Sequence, residues 1–281
     1  MSSKKNKTIG FFYRADNIKA SKMAKKISHW LKINYPRIII EEKNPRALIV
    51  LGGDGTILEA VIKYAKVNTI FLGFNMGHVG FLASVRDPKN FFLSLDKFLK
   101  GDYNIVKRMT LRAQVLRNKK IVFETNSLNE ISVQNPLGIV NMEIRIDEHL
   151  IQSVQGTGLL VATATGSTAY NLSAHGPIIM PDIKCLVITE LFDHNIPTPS
   201  IVIKRNRTIT LKILDFRKHN ILSLTGSSDS AEVLLISDGN IIFPLKKDDI
   251  IKLYRSPRLV KFAEFDKNYF FKSLQEKFAF K

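Results

Sequence analysis

Four uninterrupted apolar runs punctuate the first hundred or so residues: TIGFFY (8–13), RIII (37–40), ALIVL (47–51) and TIFLGF (69–74). Between them the apolar residues recur at helical spacing: Met23, Ile27, Trp30 and Leu31 in 20–31, then Ile57, Leu58, Val61, Ile62 and Ala65 in 57–65. FFLSLDKFL (91–99) continues the pattern as a further helix. A strand that is apolar on both faces must be covered on both, and alternating helices do the covering. The stretch therefore predicts an α/β domain built on a buried parallel sheet. The pattern changes near Gly101 and Asp102. RMTLRAQVL, KKIVFE, SLNEISVQ, NMEIRID and HLIQSV are short alternating runs, followed by CLVITE, SIVIK, TITLKIL, ILSL, EVLLISDG and IIKLYR, with NPLG (135–138) as a turn signal. These predict antiparallel sheet. The stretch FAEFDKNYFFKSLQEKF (262–278) predicts a helix docked on its own protein through Phe271, Leu274 and Phe278. We expect an α/β N-terminal domain over 1–104, completed by 258–281, and a β-rich C-terminal domain over 105–257.

Composition narrows the class. Of 281 residues, 45% are hydrophobic and 24% charged, which is ordinary for a globular protein with a sizeable core. No apolar run approaches the roughly 20 residues of a membrane helix, so no membrane partner is expected. The opening MSSKKNKTIGFFYR is basic and then briefly apolar. IGFFY is too short for a signal sequence, and the opening reads as a basic tail feeding the first strand. The lone Cys185 can make no internal disulfide, which suits a reducing cytoplasm. The net charge of +17 favours polyanions. Lys and Arg are scattered, however, without aromatic interleaving, which fits a generally lysine-rich composition better than a nucleic-acid partner, though a phosphate-bearing ligand would still benefit from the field.

VLGGDGTIL (50–58) falls between a predicted strand and a predicted helix. Gly52, Gly53 and Gly55 suit a turn that brings backbone N–H groups against phosphate, and Thr56 suits the helix N-cap. Asp54 does not fit a phosphate cradle, because a carboxylate repels phosphate. It could orient or deprotonate an attacking hydroxyl, or hold Mg²⁺. The structural alternative is a tight turn with an Asp cap. No Gly-Lys-Ser/Thr follows, and the spacing is not GxGxxG, so neither a Walker loop nor a dinucleotide fingerprint is present. GGDGT resembles the loop shared by 6-phosphofructokinases, by diacylglycerol and sphingosine kinases, and by NAD kinases.

Three further motifs discriminate. GFNMGHVGFL (73–82) is a second glycine-punctuated turn, placing Asn75 and Phe81 at the crevice where open α/β sheets bind ligands. In SLNEISVQ (127–134), Asn129 and Glu130 interrupt an apolar strand and could grip ribose hydroxyls. Neighbouring strand residues face opposite ways, so both can reach one ligand only at a strand end or bulge. VATATGSTAYNLSAHGP (161–177) is dense in hydroxyls, with Gly166 and Gly176 bracketing a helix-like start suited to phosphate and ribose. GHVGF, the Asn-Glu pair and above all TATGSTAYNLSAHGP resemble the NAD kinase family, over about residues 8–180.

The resemblance implies a Rossmann or phosphofructokinase-like first domain that binds nucleotide and a β-rich second domain that binds NAD. It implies transfer of the γ-phosphoryl of ATP to the adenosine 2′-hydroxyl of NAD, with Asp54 acting on that hydroxyl and Mg²⁺ arriving with the triphosphate. Gly52, Gly53 and Gly55 would shape the phosphate loop, and Asn129 and Glu130 would hold the ribose. Thr165, Thr168, Ala169, Tyr170 and Ser173 would line the NAD site, with Phe81 beside it. A homodimer or homotetramer is implied as well. The chain departs from the family pattern at Thr157, where an Asp is usual, and at Ala164, where a Pro is usual. DHNIPTPSIVI matches a family segment at His194, but Pro199 replaces its Arg, so no role is assigned to His194. Asp238-Gly239 resembles a family turn and fits a hairpin turn equally well. The alternatives are a lipid kinase of the diacylglycerol kinase type and a non-catalytic NAD(P)-binding sensor.

Overall fold

A computed structural model describes residues 8–64, 68–77, 80–194, 198–217 and 232–278. The basic opening to residue 7, Ala65, His78 and Val79 of the second glycine turn, and the ILSL run all lie outside the described residues. The chain divides into two compact units, 1–108 with 260–281, and 109–259.

The first unit contains β1 (Thr8–Phe12), α1 (Ile18–Asn34), β2 (Ile39–Ile40), β3 (Ala47–Leu51), α2 (Asp54–Tyr64), β4 (Ile70–Phe74) and α3 (Phe91–Lys100). β2, β1, β3 and β4 pair in that order, all parallel, and Lys261 and Phe262 add a parallel neighbour beyond β4. β3 is buried along its whole length, as an unbroken apolar run requires in a sheet covered on both sides. α1 buries Ala20, Ala24, Ile27 and Leu31, one stripe at helical spacing. It starts where the Asn17 side chain accepts from the Ala20 N–H at 3.0 Å. α3 stops at Gly101, whose left-handed φ of 88° lets its N–H close on the last carbonyls. Phe74 of β4 stacks on Phe91 of α3 with ring centroids 4.4 Å apart, tying sheet to helix. The RIII run is only partly strand: Ile39 and Ile40 alone pair, and both are exposed because β2 is an edge with no neighbour outside it.

The second unit is antiparallel. β5 (Asn104–Arg117) and β6 (Lys120–Ser127) form a hairpin through Asn118 and Lys119, both at positive φ as a two-residue turn demands. β7 (Glu130–Gln134), β8 (Val140–Ile146), β9 (His149–Thr163), β10 (Cys185–Asp193), β11 (Ile201–Lys204), β12 (Ile209–Phe216), β13 (Val233–Ser237), β14 (Ile241–Leu245) and β15 (Ile250–Glu264) follow. β9 is the spine: its first half pairs with β8, and its second half pairs with β7 on one side and β10 on the other. Leu159 and Val161 of β9 enter one apolar cluster with Val133, Met142, Ile188 and Leu235. Leu160 and Ala162 enter a second, with Ala164, Ile179, Val187 and Leu191. Strand alternation thus buries both faces of β9. Ala164, at the position where the family pattern has Pro, is buried in that second cluster.

One buried charge anchors the second unit. Asp249 is fully buried and accepts both Nε and Nη2 of Arg117 at 2.8 Å, with the Lys246 N–H also at 2.8 Å. Removing one partner of such a pair strands the other. Asp249→Ala leaves the partly exposed Arg117 and the Lys246 N–H without their acceptor and is expected to destabilise the protein by about 1.5–3 kcal/mol, read as a lower denaturant midpoint in equilibrium unfolding, whereas a change within ~0.5 kcal/mol would show that the pair carries no stability.

Candidate active site

In the first unit the site forms where β3 turns into α2. Gly52 closes the strand, its N–H bonded to the Phe74 carbonyl at 3.1 Å. Gly53 supplies the carbonyl for the Ile57 N–H at 3.1 Å, and α2 starts at Asp54. The N-cap expectation for Thr56 fails for that reason: Thr56 lies buried inside the first turn, past the position where a side-chain oxygen would accept from the orphan N–H groups. Gly55 is exposed in the same turn. Arg14, paired with Glu59, lies beside it, 3.6 Å from where a Cβ on Gly55 would stand.

Asp54 faces back across the turn to the second glycine loop. Oδ2 accepts the Phe81 N–H at 2.8 Å, and Oδ1 accepts the Leu82 N–H at 3.1 Å. A side chain on Gly80 would run into this carboxylate, so the close approach requires glycine. Burial pushes the Asp54 pKa up, opposed by the two N–H donors and by the charge of Lys277. The carboxylate is thereby aimed, partly desolvated and made more basic. Asn75 is buried and internally satisfied: Oδ1 accepts the Gly77 N–H at 3.1 Å and Nδ2 donates to the Gly77 carbonyl at 3.2 Å. Its side chain shapes the loop. The Phe81 ring is buried against Phe270 and Phe278 of the last helix, Tyr269–Phe278, while its N–H does the polar work.

That helix docks only partly by the face expected: Phe278 meets Phe81, as the spacing predicts, but Phe271 does not turn inward. Phe271 is 49% exposed, and the buried positions are Tyr269 and Ser273. Both hydroxyls donate to the Gly80 carbonyl at 3.2 Å, and Arg86 reaches Ser273 and the Tyr269 carbonyl. A polar loop with a free carbonyl selects the polar face, which an apolar-spacing rule cannot detect. Burial and the nearby Asp54 charge push the Tyr269 hydroxyl up to about 12, so it remains a donor.

In the second unit Asn129 lies in the turn between β6 and β7, and Glu130 is the first residue of β7. The turn is held by Asp238, for which the sequence suggested a family turn or a hairpin turn but no partner. Its carboxylate accepts the Ser127 hydroxyl and the N–H groups of Leu128, Asn129 and Glu130, the last three at 2.7, 2.8 and 3.3 Å. Asp238 and Gly239 both have positive φ in the β13–β14 hairpin, which points the side chain back under the turn. From above, the Asn129 carbonyl accepts the Thr163 N–H at 2.8 Å, and Thr163 Oγ1 donates to the Leu128 carbonyl at 2.7 Å. Gly166 sits against the Asn129 backbone where any Cβ would collide. So fixed, Asn129 Oδ1 and Glu130 Oε2 are buried with no donor among the described residues. Burial pushes Glu130 up to about 8, helped by the Asp238 charge and opposed by the Tyr170 N–H. Asp238 is raised by burial too, but its four donors hold the negative charge there, leaving the proton to Glu130.

The hydroxyl-rich segment makes a 3₁₀ turn, Gly166–Thr168, and a single helical turn, Tyr170–Ser173, in place of the expected helix start. Ala169, at φ −102° and ψ −128°, breaks the two apart, and His175 at positive φ ends the second. Thr165 and Thr168 are buried, Ser173 is exposed, and the Tyr170 hydroxyl donates to Gln134 Oε1 at 3.2 Å. Thr157 lies in β9 with its side chain half-buried, and its carbonyl accepts the Asn135 N–H at 2.8 Å. His194 donates its N–H to the Gln155 carbonyl at 2.8 Å, while 195–197 of the same segment lie outside the described residues.

Glu130 sets a pH dependence. Its folded pKa of about 8 lies above the ordinary 4.5. Between those values the unfolded chain has lost the proton that the folded chain keeps, so this contribution to stability is full below pH 4.5 and is lost as pH rises through about 8. Denaturant unfolding at a series of pH values should show stability falling over that range in the parent and a flatter profile in Glu130→Gln; identical slopes would place the Glu130 proton elsewhere.

Among the described residues no helix is long and apolar enough to cross a membrane. Two family models match the chain, the ATP-NAD kinase N-terminal domain over 45–103 and the ATP-NAD kinase C-terminal domain over 128–265. An NAD kinase of Mannheimia succiniciproducens is 32% identical over 259 residues, covering 84% of this chain and 84% of its own. One of Caldicellulosiruptor saccharolyticus is 34% identical over 247 residues, covering 85% and 86%. Among solved structures, yeast NADH kinase complexed with NADH superposes with a TM-score of 0.86 at 19% identity, covering 99% of this chain and 89% of that one. An NAD kinase from Archaeoglobus fulgidus in complex with ATP does so with 0.72 at 21% identity, covering 95% and 98%. These structures share the α/β-plus-β-rich fold expected from the sequence, and the likeness of the relatives over most of both lengths establishes that the chain belongs to the NAD kinase family.

Proposed function

We propose that this chain phosphorylates the adenosine 2′-hydroxyl of NAD with ATP to make NADP, supplying the cell's NADP biosynthesis. The observation that carries the reading is the pair of buried acceptors, Asn129 Oδ1 and Glu130 Oε2, neither with a donor among the described residues. Buried polar atoms are normally satisfied. Two neighbouring acceptors complement the two hydroxyls of a ribose. The lipid-kinase and sensor alternatives draw no support from the matches.

In the reaction the 2′-oxygen attacks the γ-phosphorus, the bond from that phosphorus to the β,γ-bridging oxygen breaks, and ADP leaves. Asp54 receives the hydroxyl proton. Its two N–H donors fix the direction of the carboxylate, and partial desolvation raises its basicity. The glycine loop at the start of α2 receives phosphate, with Arg14 near it. Magnesium would enter as part of the triphosphate substrate, carried mainly by its phosphate oxygens. Thr165, Thr168, Ala169, Tyr170, Ser173 and Thr157 line the NAD side, with Phe81 and Asn75 shaping the loop beside Asp54. We assign the first unit to nucleotide and the second to NAD. We place the protein in the cytoplasm as a homodimer or homotetramer, for which the exposed Phe192 and Val202 of β10 and β11 offer apolar surface.

Purified protein mixed with NAD, ATP and Mg²⁺ should yield NADP⁺, detected with an NADP-specific dehydrogenase. Asp54→Asn should lose about 10²–10⁴ in kcat, the usual share of a general base. Folded parent protein that makes no NADP⁺ with ATP or polyphosphate would falsify the kinase reading. Thr157→Asp should tighten NAD binding about tenfold by turning a neutral hydrogen bond into a charge-assisted one. Unchanged affinity in a calorimetric titration would mean that position 157 does not touch NAD.

A further inference from the structure

The peptide bond between Gly80 and Phe81 is held at both ends. Its N–H donates to Asp54 Oδ2 at 2.8 Å. Its carbonyl accepts from Tyr269 Oη and Ser273 Oγ, each at 3.2 Å. Ser273 Oγ in turn lies 2.6 Å from Arg86 Nη2. A guanidinium only donates, so Ser273 must accept there and is left with its own hydrogen for Gly80. The direction of the chain is thereby set: Arg86 to Ser273, Ser273 to the Gly80–Phe81 amide, and that amide to Asp54. In such a chain each hydrogen bond polarises the next.

The donor end is firmly anchored. Arg86 Nη2 also donates to the Tyr269 carbonyl at 2.7 Å, and Nη1 pairs with Glu276 at 2.5 Å. The guanidinium carbon lies 4.5 Å from the centroid of the Tyr269 ring. Ser273 is fully buried. All these residues belong to the first unit. The last helix turns a tyrosine and a serine, rather than Phe271, toward the loop, a poor choice if its task were only to cover apolar surface.

We propose that Arg86, Ser273 and Tyr269 are positioning residues for phosphoryl transfer, acting through the Gly80–Phe81 amide to fix where the Asp54 carboxylate points. The proposal rests on the kinase activity above for its kinetic arm, and a second readout is independent of that activity. Ser273→Ala should lower kcat about fivefold, the usual worth of one hydrogen bond, while KM for NAD and for ATP stays within about twofold. The acid limb of the kcat profile should move to higher pH, because a weaker Phe81 donor leaves the burial of Asp54 less opposed. Ser273→Thr, which keeps the hydroxyl, should restore both. Tyr269→Phe keeps the ring over Arg86, removes only the second donor, and should act in the same direction; it serves should Ser273→Ala not fold.

In NMR spectra without substrate, the Phe81 amide proton should move upfield in Ser273→Ala and return in Ser273→Thr. Parental kcat together with a parental Phe81 amide shift in either folded variant overturns the proposal. So does a loss of activity carried by KM with no movement of the acid limb. An inactive parent enzyme would count against the kinase reading alone, while the amide shift still decides whether the chain reaches Asp54.

Discussion

Carboxylates taken out of water need donors, and in each unit that need organises the local backbone. Asp238 collects one hydroxyl and three N–H groups, and in doing so sets the turn that presents Asn129 and Glu130. Asp54 takes the N–H groups of Phe81 and Leu82, and so sets the second glycine loop against the first. Backbone donors are well suited to the task. They cannot swing away as a lysine can, and they bring a fixed direction to the acceptor. The glycines follow from this geometry: Gly80 and Gly166 stand where backbone or carboxylate comes too close for a Cβ.

Asp54 and Glu130, both with raised pKa values, have different partners. Asp54 is desolvated but still met by two N–H donors, and it is shifted without a second acid beside it. Glu130 is desolvated with an acid for a neighbour, and most of the available donors have gone to Asp238. A group with an unmet acceptor and a raised pKa is one whose environment a hydroxyl-bearing ligand would improve. That contrast underlies the proposed division of roles, with Asp54 taking the proton and Glu130 gripping the sugar.

Much of this was legible in the chain. The apolar runs and helical spacing identified the parallel sheet, because burial on both faces leaves an unmistakable composition in β3. The glycine-flanked Asp54 stood out because a carboxylate in a phosphate-type loop is chemically out of place. The Asn129-Glu130 pair stood out because polar residues in an apolar run need a reason. Other features were not legible. Asp238 reads as an ordinary hairpin turn, since nothing local reveals that its side chain folds back under residues more than a hundred positions away. Only part of the last helix's docking face was legible: Phe278 packs on Phe81 as its spacing predicts, but Phe271 is exposed, and the hydroxyl contacts of Tyr269 and Ser273 leave no apolar period. The helix expected after Gly166 is broken by the backbone of Ala169, a residue with no such preference of its own.

Sequence alone determined the class of each unit, the glycine loop that carries Asp54, and the family to which the motifs belong. These rest on local periodicity and on residue types whose chemistry is visible without neighbours. Only the tertiary structure decided which donors meet those carboxylates, which acceptors remain unmet, and which face of the last helix reaches the loop. These depend on contacts between segments remote in the chain, and a hydrogen bond between remote segments leaves no period in the sequence.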